Sequence, residues 1–332
     1  MKTRAALASA LLLAACASAP EPTPAETPRP VVTKPWDAVR FGTYDNAQFA
    51  RLFTEVGGYS VVSDDGRAMR LQQNEQGAQI ILEQLPPDAA QARPPDARSW
   101  EPGCYWSLMM RAVDIPSIVE DARPLGWEPR TEVAFLEFGP SQLNIVVLTH
   151  QDTGAQVQLY ERLTTPLPDG YPEFERFGVP FNIMQMASDV DETYRFFTED
   201  LGFATFYRGE PTTSEQPEVM PLGIPVELTT TVPYQAAIVS PVAGMETGRF
   251  EMIEVMGKAS GLAGRNFSQT CTSDAVGLTD VRYLAGAQDV RRVRWGVGES
   301  NRAQSSGRDS TLVVAPDGAL IRFIGPRDAA RR

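Results

Sequence analysis

Apolar residues recur along this chain in two rhythms that keep changing places. Val39 to Tyr44 alternates as a half-buried strand does, and Asp45 then stands where a helix can be capped. Phe49, Leu52, Phe53 and Val56 follow at i, i+3, i+4 and i+7, and Gly58 closes the segment. The same grammar returns three times. Trp106 to Val113 leads to Asp114, Pro116, Ile118, Val119, Ala122 and Gly126. Phe181 to Ala187 leads to Asp189, with Glu192 at capping-box spacing, then Phe196, Phe197, Leu201 and Gly202. Phe267 to Ser273 leads to Asp274, Val281, Leu284 and Gly286.

The Asp-to-Gly spacings run 13, 12, 13 and 12, the pattern of a two-module unit duplicated once. Strand patterns over Glu132 to Phe138, Leu143 to His150 and Arg308 to Val314 fill the places after the helices, and Gly77-Ala-Gln-Ile-Ile-Leu82, Gly154-Ala-Gln-Val-Gln-Leu159 and Gly318-Ala-Leu-Ile-Arg-Phe323 close modules in one style. Each module therefore reads as βαβββ. The expectation is an α+β protein of two tandem domains, residues 36–164 and 176–326, with two modules in each.

The N-terminus changes the picture. Lys2 and Arg4 precede an eleven-residue apolar run, Ala5 to Ala15. That is too short to span a bilayer, which takes about 20 residues, and suits a signal peptide over residues 1–15. Leu13-Ala14-Ala15-Cys16 resembles the lipobox of bacterial lipoproteins, which implies a diacylglycerol on Cys16 and a membrane partner through it. Ala17, where an Asp would retain the protein at the inner membrane, implies the outer membrane, facing the periplasm. Prolines at 20, 22, 24, 28, 30 and 35 predict an extended tether over residues 16–35, reaching roughly 60 Å at about 3.1 Å per residue. Losing Lys2 and Arg4 takes the net charge from −12 to −14, which opposes nucleic acid as a partner. Cys104 and Cys271 can pair in an oxidising periplasm or stay as buried thiols.

Phe181-Asn-Ile-Met-Gln-Met-Ala-Ser-Asp189, Tyr194-Arg-Phe-Phe197 and Leu201-Gly-Phe203 resemble the opening of the vicinal oxygen chelate superfamily, which includes glyoxalase I, extradiol dioxygenases and bleomycin-resistance proteins. Ala315-Pro-Asp-Gly-Ala-Leu-Ile-Arg-Phe323 looks like its closing strand. The resemblance implies curled mixed sheets, helices on the outer face, a ligand cavity on the concave face, and modules that other members exchange between chains, so that a homodimer is open. It also implies metal ligands at six positions, which here are Ala38, Ser107, Asn182, Phe267, Gln158 and Arg322. None is a usual strong ligand, and the chain has one His, so neither a metal nor another cofactor is expected. His150 reads as a strand-end polar residue rather than a catalytic base, and no catalytic residue is assigned.

Strand alternation puts Asn182, Met184, Met186, Phe267, Gln269, Leu320, Arg322 and Ile324 on one concave face, and Ala38, Arg40, Ser107, Met109, Arg111, Gln156, Gln158 and Tyr160 on the other. Asn182, Met184, Met186, Phe267, Gln269 and Arg322 are the expected ligand-binding set, an apolar wall with one guanidinium and two amides. An ion pair of Arg322 with Glu251 or Glu254 is the structural alternative. The leading expectation is a metal-free binding lipoprotein for a small, anionic, partly apolar molecule. A metal-independent enzyme and a structural envelope protein are the other readings.

Overall fold

The computed structural model describes residues 30–296, 303–305 and 310–326. The signal peptide, Cys16 and the tether up to residue 29 lie outside them. The first module contains β1 (Ala38–Thr43), α1 (Asn46–Arg51, continued by a π-helical turn, Leu52–Val56), β2 (Ser60–Asp64), β3 (Ala68–Gln72) and β4 (Gln79–Gln84). The second contains β5 (Tyr105–Ala112), α2 (Ile115–Ala122), β6 (Trp127–Pro129), β7 (Ala134–Phe138), β8 (Ser141–His150) and β9 (Gln156–Arg162). The third contains β10 (Phe177–Met186), α3 (Val190–Arg195 with a π-helical turn, Phe196–Asp200), β11 (Ala204–Arg208), β12 (Tyr234–Ser240) and β13 (Arg249–Val255). The fourth contains β14 (Gly277–Leu284), α4 (Ala287–Gly296), β15 (Ala303–Ser305), β16 (Ser310–Val314) and β17 (Leu320–Ile324).

Three helices begin where the sequence places them. Asp45, Asp114 and Asp189 each accept a hydrogen bond from the backbone N–H three residues on, which satisfies an otherwise unpaired helix donor. The fourth differs. Phe267 to Ser273 is a loop, and the strand starts at Gly277, whose φ of 110° turns the chain into β14. Val281 faces Val39 across an antiparallel ladder, so it is a strand residue and not part of a helix. Gly286, expected to end that helix, precedes it: its carbonyl accepts from Val290 N at 3.0 Å.

The modules form two mixed sheets. One runs β15-β16-β17-β14-β1-β4-β3-β2 and the other β11-β12-β13-β10-β5-β9-β8-β6, with β7 on β8. The first and fourth modules thus share one sheet, and the second and third share the other, so the sheets do not follow the division between residues 164 and 176. Each joins its modules through antiparallel opening strands: Val39 opposite Val281, and Asn182 opposite Met109. One face of each sheet packs on the helices in a common core that includes Phe41, Phe49, Phe53, Trp127, Phe197 and Phe250.

Two further ties bind the body. Cys104 and Cys271 form a disulfide across 167 residues, linking the entrance of β5 to the loop before β14. Pro30 to Pro35 does not behave as tether: Val31 and Val32 are buried in the core, and Val31 N donates to Leu201 O at 3.0 Å. Two adjacent β-branched residues supply apolar surface that the proline pattern hides.

Candidate functional site

The face of the second sheet turned away from the helices carries Ser107, Met109 and Arg111 on β5, Gln156, Gln158 and Tyr160 on β9, Asn182 and Met184 on β10, and Glu251 on β13. Pairing in register brings the strands that carry the expected ligand positions together. Met109 lies beside Gln158, and Met184 beside Glu251. Ser107 Oγ donates to Gln158 Oε1 at 3.1 Å, and Asn182 Nδ2 donates to Glu251 Oε2 at 2.9 Å. Glu251 escapes sequence reasoning as a site residue because its strand lacks the Gly-Ala opening of the other closing strands; only its place on β13 marks it.

Burial pushes the Glu251 carboxyl up to about 7, and the hydrogen bond from Asn182 opposes this only in part. Gln156 is fully buried beside Ser107 with neither side-chain polar atom hydrogen-bonded. Much of this face is covered by the chain's own segment between β11 and β12. Its Met220, Leu222, Ile224 and Val232 pack with Trp106, Met109, Phe181, Met184 and Met186. Met184 and Met186 are therefore core residues.

Beyond that cover lies Arg111. It is 8% exposed, its guanidinium stands 4.2 Å from the Phe181 ring centroid and 5.8 Å from that of Tyr160, and it makes no hydrogen bond or ion pair among the described residues; its Nε is fully enclosed. Burial pushes its pKa down to about 10, and the nearby positive charges of Arg162 and Arg249 add to the effect. Arg249 is held by Glu246 at 3.1 Å, and Arg162 by Thr165 Oγ1 at 3.3 Å and Pro166 O at 2.9 Å. Arg111 alone of the three has no such support.

The first sheet holds a different arrangement. The register of β14 puts Asp280, not Phe267, at the fourth module's ligand position, beside Leu320 and opposite Arg40. Asp280 is fully buried and faces three guanidiniums: Arg282 at 2.8 Å, Arg40 at 3.8 Å and Arg322 at 3.9 Å. Arg40 also donates to Glu83 at 2.7 Å and Thr279 at 2.7 Å. Arg322 thus joins an ion-pair network, as its structural alternative required, but it faces Asp280 rather than Glu251 or Glu254. Glu251 bonds Asn182, and Glu254 accepts from Val190 N at 3.1 Å.

The expected ligand set is therefore divided. Asn182, Met184 and Met186 belong to the second sheet and Arg322 to the first. Phe267 and Gln269 sit in the loop before β14, Phe267 buried beside the disulfide and Gln269 exposed. His150 lies in the core between Gln48 Oε1 at 3.0 Å and Thr153 Oγ1 at 3.1 Å, under Phe49 and Trp127. Burial pushes its pKa down to about 4.

Neither face fits a divalent metal. The second sheet offers Ser107, Gln158 and Asn182 with one carboxyl held near neutrality, and the first offers Ala38, Ile81 and Arg322 with a carboxylate already surrounded by cations. Among the described residues, no three His, Cys, Asp or Glu side chains gather as metal ligands would.

Neither a protein-family model nor a curated protein matches the chain. Solved structures do. Glyoxalase I from Zea mays is 13% identical with a TM-score of 0.58, over 90% of this chain and 95% of that one. A mutant of the same maize enzyme gives 14% identity and a TM-score of 0.57, over 90% and 96%. A putative dioxygenase from Bacillus subtilis subsp. subtilis str. 168 gives 10% and 0.49, over 90% and 86%. At these identities the likeness concerns the fold.

Proposed function

From a chain with the vicinal oxygen chelate fold, we propose a lipid-anchored envelope protein that binds a small, partly apolar oxyanion without a metal, on the second sheet around Arg111. The observation that carries this reading is the isolation of Arg111. A buried guanidinium with no counter-charge costs several kcal/mol, and a bound carboxylate or phosphate offsets that cost through charge-assisted hydrogen bonds. Phe181 and Tyr160 hold the guanidinium against aromatic faces, which favours a ligand with apolar surface beside its charge. The lipobox at Leu13-Ala14-Ala15-Cys16 supports the anchor, and the Cys104–Cys271 disulfide supports an oxidising compartment.

Melting temperature measured against benzoate and phosphate, at ionic strength matched with chloride, tests the site. A ligand of the native state raises it. Arg111→Met should remove that response and should itself stabilise the ligand-free protein. An equal response in wild type and variant, or none beyond chloride, overturns the reading.

Glu251 supports a second reading, a metal-independent enzyme. Its carboxyl, near pH 7 and hydrogen-bonded to Asn182, lies in the range suited to general acid–base work. Turnover of carbonyl or aromatic substrates that survives metal stripping and is lost in Glu251→Gln would favour it over binding alone.

A further inference from the structure

Arg111 is one of three guanidiniums at one end of the second sheet. The strand order β13-β10-β5-β9 brings them together, with Arg249 beside Asn182 and Arg111 beside Tyr160 in register. Arg162 follows Tyr160 by two residues, so it returns to the same face about 7 Å further along β9. The three charges oppose one another: Arg162 and Arg249 each disfavour the charged form of Arg111, and Arg162 that of Arg249.

Their counter-charges are too few. Glu246 pairs with Arg249 at 3.1 Å, and Arg249 Nε also donates to Met245 O at 2.6 Å. Arg162 rests on two uncharged oxygens, Thr165 Oγ1 and Pro166 O. Among the described residues, neither Arg111 nor Arg162 makes an ion pair. A further acid on this face, Glu251, has its carboxyl pushed up to about 7 by burial and hydrogen-bonds Asn182, so at pH 6.5 it offsets well under one charge. More than one positive charge is left unanswered.

The aromatic surroundings are continuous with this cluster. Tyr160 and Phe181 meet edge to face with centroids 5.5 Å apart, and Tyr171, which donates to Val179 O, lies within electrostatic reach of all three guanidiniums. A monocarboxylate cannot match the excess charge. A phosphomonoester can, because it places nearly two negative charges and three acceptor oxygens on one group.

We propose that the Arg111 site takes an aromatic phosphomonoester as its dianion, the phosphate bridging Arg111 and Arg162 and the ring against Tyr160 and Phe181. This rests on the reading of Arg111 given above and adds to it the charge of the ligand and the part played by Arg162.

Titration calorimetry at pH 6.5 and constant ionic strength compares phenyl phosphate with phenyl methyl phosphate, which keeps the ring and loses one charge, and with inorganic phosphate and benzoate. Phenyl phosphate should bind about tenfold or more tightly than each of the others. Arg162→Gln should remove its advantage over the methyl diester and leave benzoate within about twofold, whereas Arg162→Lys should keep most of it. Glu246→Gln, at a half-exposed position, should tighten phenyl phosphate further. The comparison of monoester with diester needs no variant, so it stands if Arg162→Gln fails to fold. Equal affinity for monoester and diester, an advantage that survives Arg162→Gln, or inorganic phosphate bound as tightly as its phenyl ester would each overturn the proposal. Benzoate bound in an Arg111-dependent way alongside any of these results would leave the reading of Arg111 standing, and no binding of any of the four would overturn both.

Discussion

Glu251→Gln should stabilise the protein at pH 8 and leave it nearly unchanged at pH 5. The carboxyl moves from its usual 4.5 to about 7 on folding, so between these values the folded chain keeps a proton that the unfolded chain has released. Stability then falls as pH rises through that window and is constant above it. Each pH unit of displacement is worth about 1.4 kcal/mol, which gives up to about 3 kcal/mol. Glu251 keeps some solvent access, so about 2 to 3 kcal/mol is the working figure. For roughly 300 ordered residues that corresponds to ~4 °C in melting temperature. Gln keeps the oxygen that accepts from Asn182 and removes the charge.

The assay is thermal melting of both proteins from pH 4.5 to 8.5, read as variant minus wild type at each pH. The difference is needed because His150 slopes the other way. Its pKa falls from 6.5 to about 4 on folding, so it removes stability as pH drops through that window in both proteins. A difference that is flat with pH, or that grows toward acid, would refute the burial argument for Glu251.

Replacing Cys104 and Cys271 together by Ser should cost about 2 to 5 kcal/mol in urea unfolding, because the cross-link closes a loop of 167 residues; a midpoint equal to that of the oxidised wild type would contradict the pairing. Deleting residues 17–29 should leave the melting temperature unchanged, whereas deletion through Lys34 should lower stability by roughly 2 to 4 kcal/mol through loss of the buried Val31 and Val32; equal melting of the two deletions would show that these valines contribute nothing. Purified protein should contain no stoichiometric iron, zinc, nickel or manganese, and EDTA should not shift its melting; about one metal per chain with earlier melting on chelation would reverse this. Cys16→Ser should abolish fatty-acid labelling in cells, and equal label on both forms would refute the lipobox.

The first three modules were legible because each advertises its helix with a capping Asp and ends it near a Gly. The fourth was not. Its helix follows Gly286, and Asp274 stands in a loop that the disulfide holds, so the same letters marked a turn. That shift replaced Asp280 by Phe267 at the site and hid the acid that Arg322 faces. Sheet partnership was illegible for a different reason: alternation fixes which side of a strand is apolar but not which strand lies beside it. The isolation of Arg111 depends on contacts with Phe181 and Tyr160 and on the absence of an acid in reach among the described residues, which no single segment encodes.

The exchange of partners between the outer and inner modules bears on how the chain is made. β1 must wait for β14, with Ala38 set opposite Arg282, so the chain through β14 is synthesised before the first sheet can close. Until then β1 has β4 as its neighbour on one side and an unpaired edge on the other, and an open edge invites mispairing. The second and third modules are adjacent in sequence and can join first, as the shorter loop requires. A chain made from its N-terminus would thus complete its earliest module last. Loss of β14 would expose β1 of the first module as well as dismantle the fourth, because the two share that strand pair.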